Sequence, residues 1–366
     1  MDTPRARPFR FILTICLGAI WMATTLTTAH ADGPVGPQST RPLGTHSTAN
    51  DSFGNAGIVG DPITTSIGEY TFALPLLDLG GPLPIQFTLN YAASMLKTSG
   101  YYNDPFGDDV FSHSFHVGLK RWTNTDIYVL FGDGYGVWFN RPNASAPWKA
   151  NGEEINHQLQ ETDRRYYLLD PVAELLYTFD KAMVGSEPVG VLTRVEDRRG
   201  NALTFTNDAA GRVTRVDDGL GRFLTFTYAN PRDDWNYPHL VQVTDSFSRT
   251  IKFGYQTTSE PALTTHLTRV VDTLGATPVF THTGSVTNTI VSAVMLPRGN
   301  TPYKNQYGTN QNLWQAASQT DAFGNTTQLK FEKENTTITD PLGTATQHTH
   351  ADGKRLSGSF IKFVWG

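Results

Sequence analysis

An all-β fold is what this 366-residue sequence predicts: an array of antiparallel β-hairpins forming a curled or spiralling sheet. Three observations point there. A turn built on Asp-x-x-Gly, with Ser once for the Gly and Leu once for the Asp, recurs seven times between residues 190 and 345. The strand after each of the early turns alternates apolar and polar side chains. The composition is that of a turn-rich β protein, with 33 Gly, 21 Pro, 11% aromatic residues and only 17% charged.

The turns begin at Asp197, Asp218, Asp245, Asp272, Leu296, Asp321 and Asp340, in steps of 21, 27, 27, 24, 25 and 19 residues. Periods in this range mark a repeat array. Asp opens such a turn because its carboxylate accepts hydrogen bonds from the backbone N–H groups that follow. Gly three residues on takes the positive φ that closes it into a hairpin; Ser248 stands in once. Counted from that Gly, offsets three, five and seven read Leu203, Phe205, Asn207, then Leu224, Phe226, Tyr228, then Ile251, Phe253, Tyr255. Thr204, Thr206, Thr225 and Thr227 fall between them. Later units keep Phe280 and Leu329 at offset five. After Gly299 that place is Lys304, with Tyr303 and Tyr307 one step out, so one extra residue is expected there. After Gly343 the face reads Thr346, His348, His350, a terminal or decayed unit.

The chain upstream divides by composition. Residues 1–31 read as a signal peptide: Arg5, Arg7 and Arg10, an apolar run from Phe11 to Leu26, and Ala29-His30-Ala31 for cleavage. The run falls short of the ~20 residues of a membrane span, and no later segment approaches one, so no span is expected after cleavage. Cys16, the one cysteine, leaves with it, so burial and not disulfides must hold the mature chain together. Residues 32–57, rich in Pro, Gly, Ser and Thr, read as a flexible linker. Residues 58–182 read as an N-terminal β domain, with strands at 70–77 and 83–92 and hairpins over 127–182. Residues 183–350 are the repeats, with a looser loop from Ser285 to Asn312; residues 351–366 are a tail that starts polar and ends apolar. An array this short is not expected to close, and its last strands, 335–366, are expected to fray or self-associate.

Chemistry is sparse. No nucleophile elbow, metalloprotease helix, phosphate loop or dinucleotide fingerprint occurs, so no catalytic, cofactor-binding or metal-ligating residue and no cofactor is expected. His113 and His116 with Asp108 and Asp109 suggest a metal site by spacing alone; strand-like flanks favour a hairpin role. Glu153-Glu154, Asp217-Asp218 and Asp233-Asp234 are sequence neighbours, which in a strand point to opposite faces, unlike a glycosidase pair. The Asp-rich turns lack the dense ligand loop of a calcium site. Trp122, Trp138, Trp148, Trp235 and Trp314 have two readings, sugar stacking or packing of the sheet, and packing is the expectation. A net charge of −5, 29 basic against 34 acidic residues, offers no footprint for nucleic acid.

The stretch from Leu192 to Gln256 resembles Rhs repeats, also called YD repeats. "NDAAGRV", Asn207 to Val213, lies where that family has Tyr-Asp-x-x-Gly-Arg, with Asn for Tyr; at the second such place Tyr228 is kept and Ala229 replaces the Asp. Gly60 to Ser94, Phe106 to Lys120 and Tyr166 to Ala182 are similar to the block that precedes such repeats, with Phe111 where Trp is usual. The resemblance implies a partial Rhs-type β-shell. It implies an exported scaffold, secreted, periplasmic or on the cell surface, without catalysis in this chain. The implied partners are a C-terminal toxin cargo or a downstream Rhs fragment, and a cell-surface protein or glycan. The family's core-terminating motif and toxin domain are not found here, so the chain is expected to be a fragment of the larger shell. The alternative is an exported carbohydrate-binding or cell-wall-modifying β protein.

Overall fold

The computed structural model describes residues 58–59, 63–64, 68–93, 104–107, 110–151, 156–230, 238–257, 265–285, 288–308, 315–332, 334–351 and 354–361. The expected signal peptide and linker lie outside the described residues. So do Asp108, Asp109, Glu153, Glu154, Asp233, Asp234, Trp235 and Trp314.

Every regular element among the described residues is a strand. β1 (Ile58–Val59) and β2 (Ile63–Thr64) form a short pair, and β3 (Thr71–Asp78), β4 (Gln86–Ala92) and β5 (Phe111–His113) a three-stranded antiparallel sheet. β6 (Gly118–Arg121), β7 (Asp126–Leu130), β8 (Gly136–Asn140) and β9 (Lys149–Ala150) form a meander. β10 (Gln158–Glu161), β11 (Arg165–Asp170), β12 (Leu175–Val184) and β13 (Glu187–Asp197) form a second. The repeats supply β14 (Ala202–Asn207), β15 (Val213–Asp217), β16 (Phe223–Ala229), β17 (His239–Asp245), β18 (Thr250–Thr257), β19 (Thr265–Val271) and β20 (Val279–Ser285). They continue as β21 (Asn288–Met295), β22 (Tyr303–Tyr307), β23 (Ala316–Asp321), β24 (Thr326–Phe331), β25 (Asn335–Thr339), β26 (Ala345–Ala351) and β27 (Lys354–Ile361).

β6 to β27 belong to one long sheet of 22 strands, curled and not closed into a barrel, as the fold class predicts. From β10 to β27 each strand pairs antiparallel with the next. β13 is a branch point. One edge pairs along its length with β12; the other pairs with β6 through Val189–Val191 and with β14 through Arg194–Glu196. Thr193 is the extra residue of a bulge between those two segments.

The alternation in sequence becomes an inward face and an outward face. Phe205 sits across from Val216, Phe226 from Val243, Phe253 from Val270, Phe280 from Val294 and Leu329 from Ile338. Most of these are buried, while Thr204, Thr206, Thr225 and Thr227 are exposed. The core lies in the curl, where β3 to β5 pack against the inward face. Phe72 stacks on Phe280 with ring centroids 5.7 Å apart, and Phe87 lies 6.0 Å from both Phe226 and Phe253. Burying side chains of this kind contributes about 1.5–3 kcal/mol each.

Two sequence readings change. Residues 285–312, expected as a loose loop, contain β21 and β22; the alternation there is real but interrupted by a polar pair. In β22 Asn305 is buried, Tyr303 and Tyr307 are half-buried, and Lys304 and Gln306 are exposed, so Tyr303, Asn305 and Tyr307 share the inward face. Asn305 then faces Gln319 where earlier units place Phe across from Val, and the Gln319 amide donates to Asn305 Oδ1 at 2.8 Å in the interior. Residues 354–361 pair along β26 as a strand.

Candidate functional site

The repeated turns form a built structure along one edge. In the units at Asp197, Asp245, Asp272, Leu296, Asp321 and Asp340, the first residue's carbonyl accepts from the N–H three on. Its own N–H donates to the carbonyl four on, at 2.8–3.1 Å in both cases. Asp218 keeps the second of these bonds, to Arg222. The fourth residue has φ between +65° and +96°, as the motif requires. In every Asp unit, Oδ1 accepts two more backbone N–H groups; for Asp245 these are Phe247 and Arg249, at 2.9 and 2.8 Å. Oδ2 takes the side chain four on: Asn201, Arg222, Arg249 and Asn325 at 2.6–2.9 Å. Burial pushes the Asp218 carboxyl up, but the Leu220 and Arg222 donors outweigh it and hold it below its ordinary value. Asp208 builds the same loop with Gly211 and Arg212. It joins β14 to β15 and so lies on the opposite edge from the other turns.

A second ladder runs inside. At the end of most hairpins the register slips by one residue, which turns a carbonyl out of the sheet. The side chain of the following hairpin reaches back to it. Asn207 Nδ2 donates to the Leu192 carbonyl at 2.8 Å. The hydroxyls of Tyr228, Tyr255 and Tyr307 donate to those of Val213, Leu240 and Val291 at 3.0, 2.6 and 2.6 Å. Asn207 thus makes the bond that Tyr228, Tyr255 and Tyr307 make in their own units. The bulged Thr193, Thr214, Thr268 and Ser292 close the same defects, each hydroxyl donating to a carbonyl across the hairpin at 3.1–3.2 Å.

The titratable groups are structural in character. His113 and His116 are buried with rings 6.0 Å apart; His113 lies beside Phe87 and Phe226, and His116 Nδ1 lies 2.9 Å from Ser112 Oγ. Among the described residues no three His, Cys, Asp or Glu side chains gather as metal ligands. Burial lowers the His113 imidazole well below its ordinary value and takes His116 to about 4, with Asp104 opposing. His266 and His282 stack at 5.4 Å, and burial lowers both, His282 to about 4. Glu161 is a hub: Arg121, Arg141 and Lys181 donate to it at 3.0, 3.0 and 2.7 Å, and the Trp148 indole at 3.1 Å. These bonds tie the meanders together. Asp217 points to Arg215, and Asp218 to its own turn, so the two carboxylates do not face one another.

The tryptophans split. Trp148 is buried under Arg141, as packing predicts. Trp122 and Trp138 are not core residues: they are 54% and 40% exposed. They lie on the outward side of β6 to β8 with rings 6.2 Å apart, Tyr128 beside Trp138 at 4.9 Å and the Lys120 ammonium 4.4 Å over Trp122. The packing expected of them from the sequence holds for Trp148 and fails for Trp122 and Trp138, because the sheet's outward face at β6 to β8 is open to solvent. Asp126 and Asn140 border the patch, hydrogen-bonded at 2.6 Å.

Among the described residues no helix is long and apolar enough to cross a membrane. No family model matches the chain, and no curated protein does. It is similar in structure to chains from "Structure of Photorhabdus luminescens Tc holotoxin pore, Mutation TccC3-D651A" (13% identity, 78% of this chain, TM-score 0.30) and "Crystal Structure of TcdB2-TccC3" (14%, 76%, 0.30). The chain spans about 15% of the length of each.

Proposed function

We propose that this chain is an exported structural scaffold of Rhs-repeat type, part of a toxin-encapsulating or cell-surface shell, and not a catalyst. The observation that carries the reading is the uninterrupted antiparallel ladder from β10 to β27, with one turn chemistry repeated along its edge. The polar groups with bonds described above are spent on turns, bulges and meander contacts, which is what a wall requires. Its partner on this reading is a toxin cargo or a further Rhs fragment. The test is the gene beyond the codon for Gly366, read with a reporter fused after residue 40. Further hairpin units or a toxin-like domain, with the reporter exported, support the reading. An intergenic sequence sinks the toxin-shell version, and a cytosolic reporter sinks export.

A second reading has its own observation, the exposed pair Trp122 and Trp138 bordered by Asp126 and Asn140. Flat aromatic faces beside hydrogen-bonding groups suit a sugar ring, so this patch favours glycan binding. A glycan array read with the full chain and with Trp122→Ala and Trp138→Ala decides it: binding lost in both variants supports the reading, and no binding ends it.

A further inference from the structure

We propose that the turn-bearing edge of the repeat array is a docking surface for a second copy of this chain. The third residue of five turns is large and apolar: Leu220, Phe247, Leu274, Phe323 and Leu342, between 67% and 92% exposed. At the Leu296 turn, Met295 and Leu296 are each 37% exposed. Seven of the eleven large apolar side chains standing exposed among the described residues therefore lie on this one edge.

The fold does not require them. Arg199 and Arg298 occupy the same position in the turns at Asp197 and Leu296, closed by the same backbone bonds. The third residue sits at the tip of the reversal, where its side chain leaves the sheet. Five exposed apolar tips on one edge, in two runs on either side of Arg298, mark an interaction surface.

Spacing selects the occupant. Successive turns on this edge are separated by two strands, about 10 Å. A partner that covers the whole row must repeat at that interval, and the turn edge of a second copy does. Two such edges related by a two-fold axis are self-complementary, each tip settling between two tips opposite. The row offers on the order of 700 Å² of apolar surface per copy, close to the ~800 Å² per partner of a stable interface.

Sedimentation velocity on the full chain tests this, with Leu220→Ser, Phe247→Ser, Leu274→Ser, Phe323→Ser and Leu342→Ser combined, and Arg199→Ser with Arg298→Ser as control. The tips are exposed, so circular dichroism and Tm should hold. The expected result is a dimer at micromolar concentration, a dissociation constant raised at least ~100-fold in the five-site variant, and no change in the control. A chain still monomeric at about 100 µM, or a dimer that survives the five substitutions, overturns the proposal. So does a chain that is monomeric in solution and floats with phosphatidylcholine vesicles through the row, which assigns it to lipid. If the combined variant misfolds, Phe247→Ser and Phe323→Ser are read singly; each should weaken the dimer about tenfold, and no change in either overturns the proposal.

Discussion

The Tyr255 hydroxyl donates to the Leu240 carbonyl at 2.6 Å, reaching from β18 to the neighbouring strand β17. The bond satisfies a carbonyl that a bulge has turned away from the ladder, so the irregularity and the side chain are one device. Tyr255→Phe keeps the ring and removes the donor. It should destabilise by about 1–2 kcal/mol, because the partly buried carbonyl is left without its bond. Urea unfolding with an unchanged m-value is the check; no loss would mean that the bulge is solvated.

The turns allow a test in both directions. Asp218→Ala removes the acceptor for Leu220 N, Arg222 N and Arg222 Nε, and should lower stability by about 1–2 kcal/mol. Gly221→Val should cost more, because φ is +96° and a β-branched residue is strained there. Leu296→Asp should stabilise by about 0.5–1 kcal/mol, since the backbone loop is already closed and Asn300 stands where Asn201 and Asn325 meet their carboxylates. Thermal melts should place Gly221→Val lowest, Asp218→Ala above it, and Leu296→Asp above the parent chain.

Asn305 and Gln319 offer a double-mutant cycle. Both are buried, and Asn305 Nδ2 has no hydrogen-bond partner among the described residues. Asn305→Phe alone removes the Oδ1 acceptor of the buried Gln319 amide and should destabilise by about 1–3 kcal/mol. Adding Gln319→Val restores the apolar pair of the earlier units and should recover at least that much. Additive losses would contradict the equivalence of this unit with its predecessors.

Acid should weaken the core. His113, His116, His266 and His282 have folded pKa values below the unfolded 6.5, because burial disfavours the charged ring. The unfolded chain therefore binds more protons. Stability is fully present above about pH 6.5 and falls as pH drops toward 4, by about 2–3 kcal/mol for a group such as His116 or His282. His282→Gln should flatten the pH dependence of Tm between pH 6.5 and 4. An unchanged slope would mean that the ring is not buried in solution.

Much of this was legible in the chain. Asp and Gly three apart name their own geometry, because one needs donors and the other needs positive φ, and the inward Leu203, Phe205 and Leu224 follow by alternation. Three things were not legible. Asn305 and Gln319 are as polar as loop residues, so a strand built on an amide pair reads as a gap. The packing of Phe72 and Phe87 into the curl joins residues more than a hundred positions apart, and no local pattern encodes it. Trp122 and Trp138 were expected to pack in the sheet, but a sheet has two faces, and only the fold shows that theirs is the wet one.

β13 has a consequence for how force would travel. Three sub-ladders, β6 to β9, β10 to β12 and the repeats from β14 onward, meet on this one strand. Through the sheet's backbone ladders, tension between the repeat array and the first meander passes along the stretch from Val189 to Glu196, and Thr193 sits in its middle as the bulge. Extension in an optical trap should therefore show rupture there as a discrete event, with the hairpins on either side giving way one after another like the links of a chain.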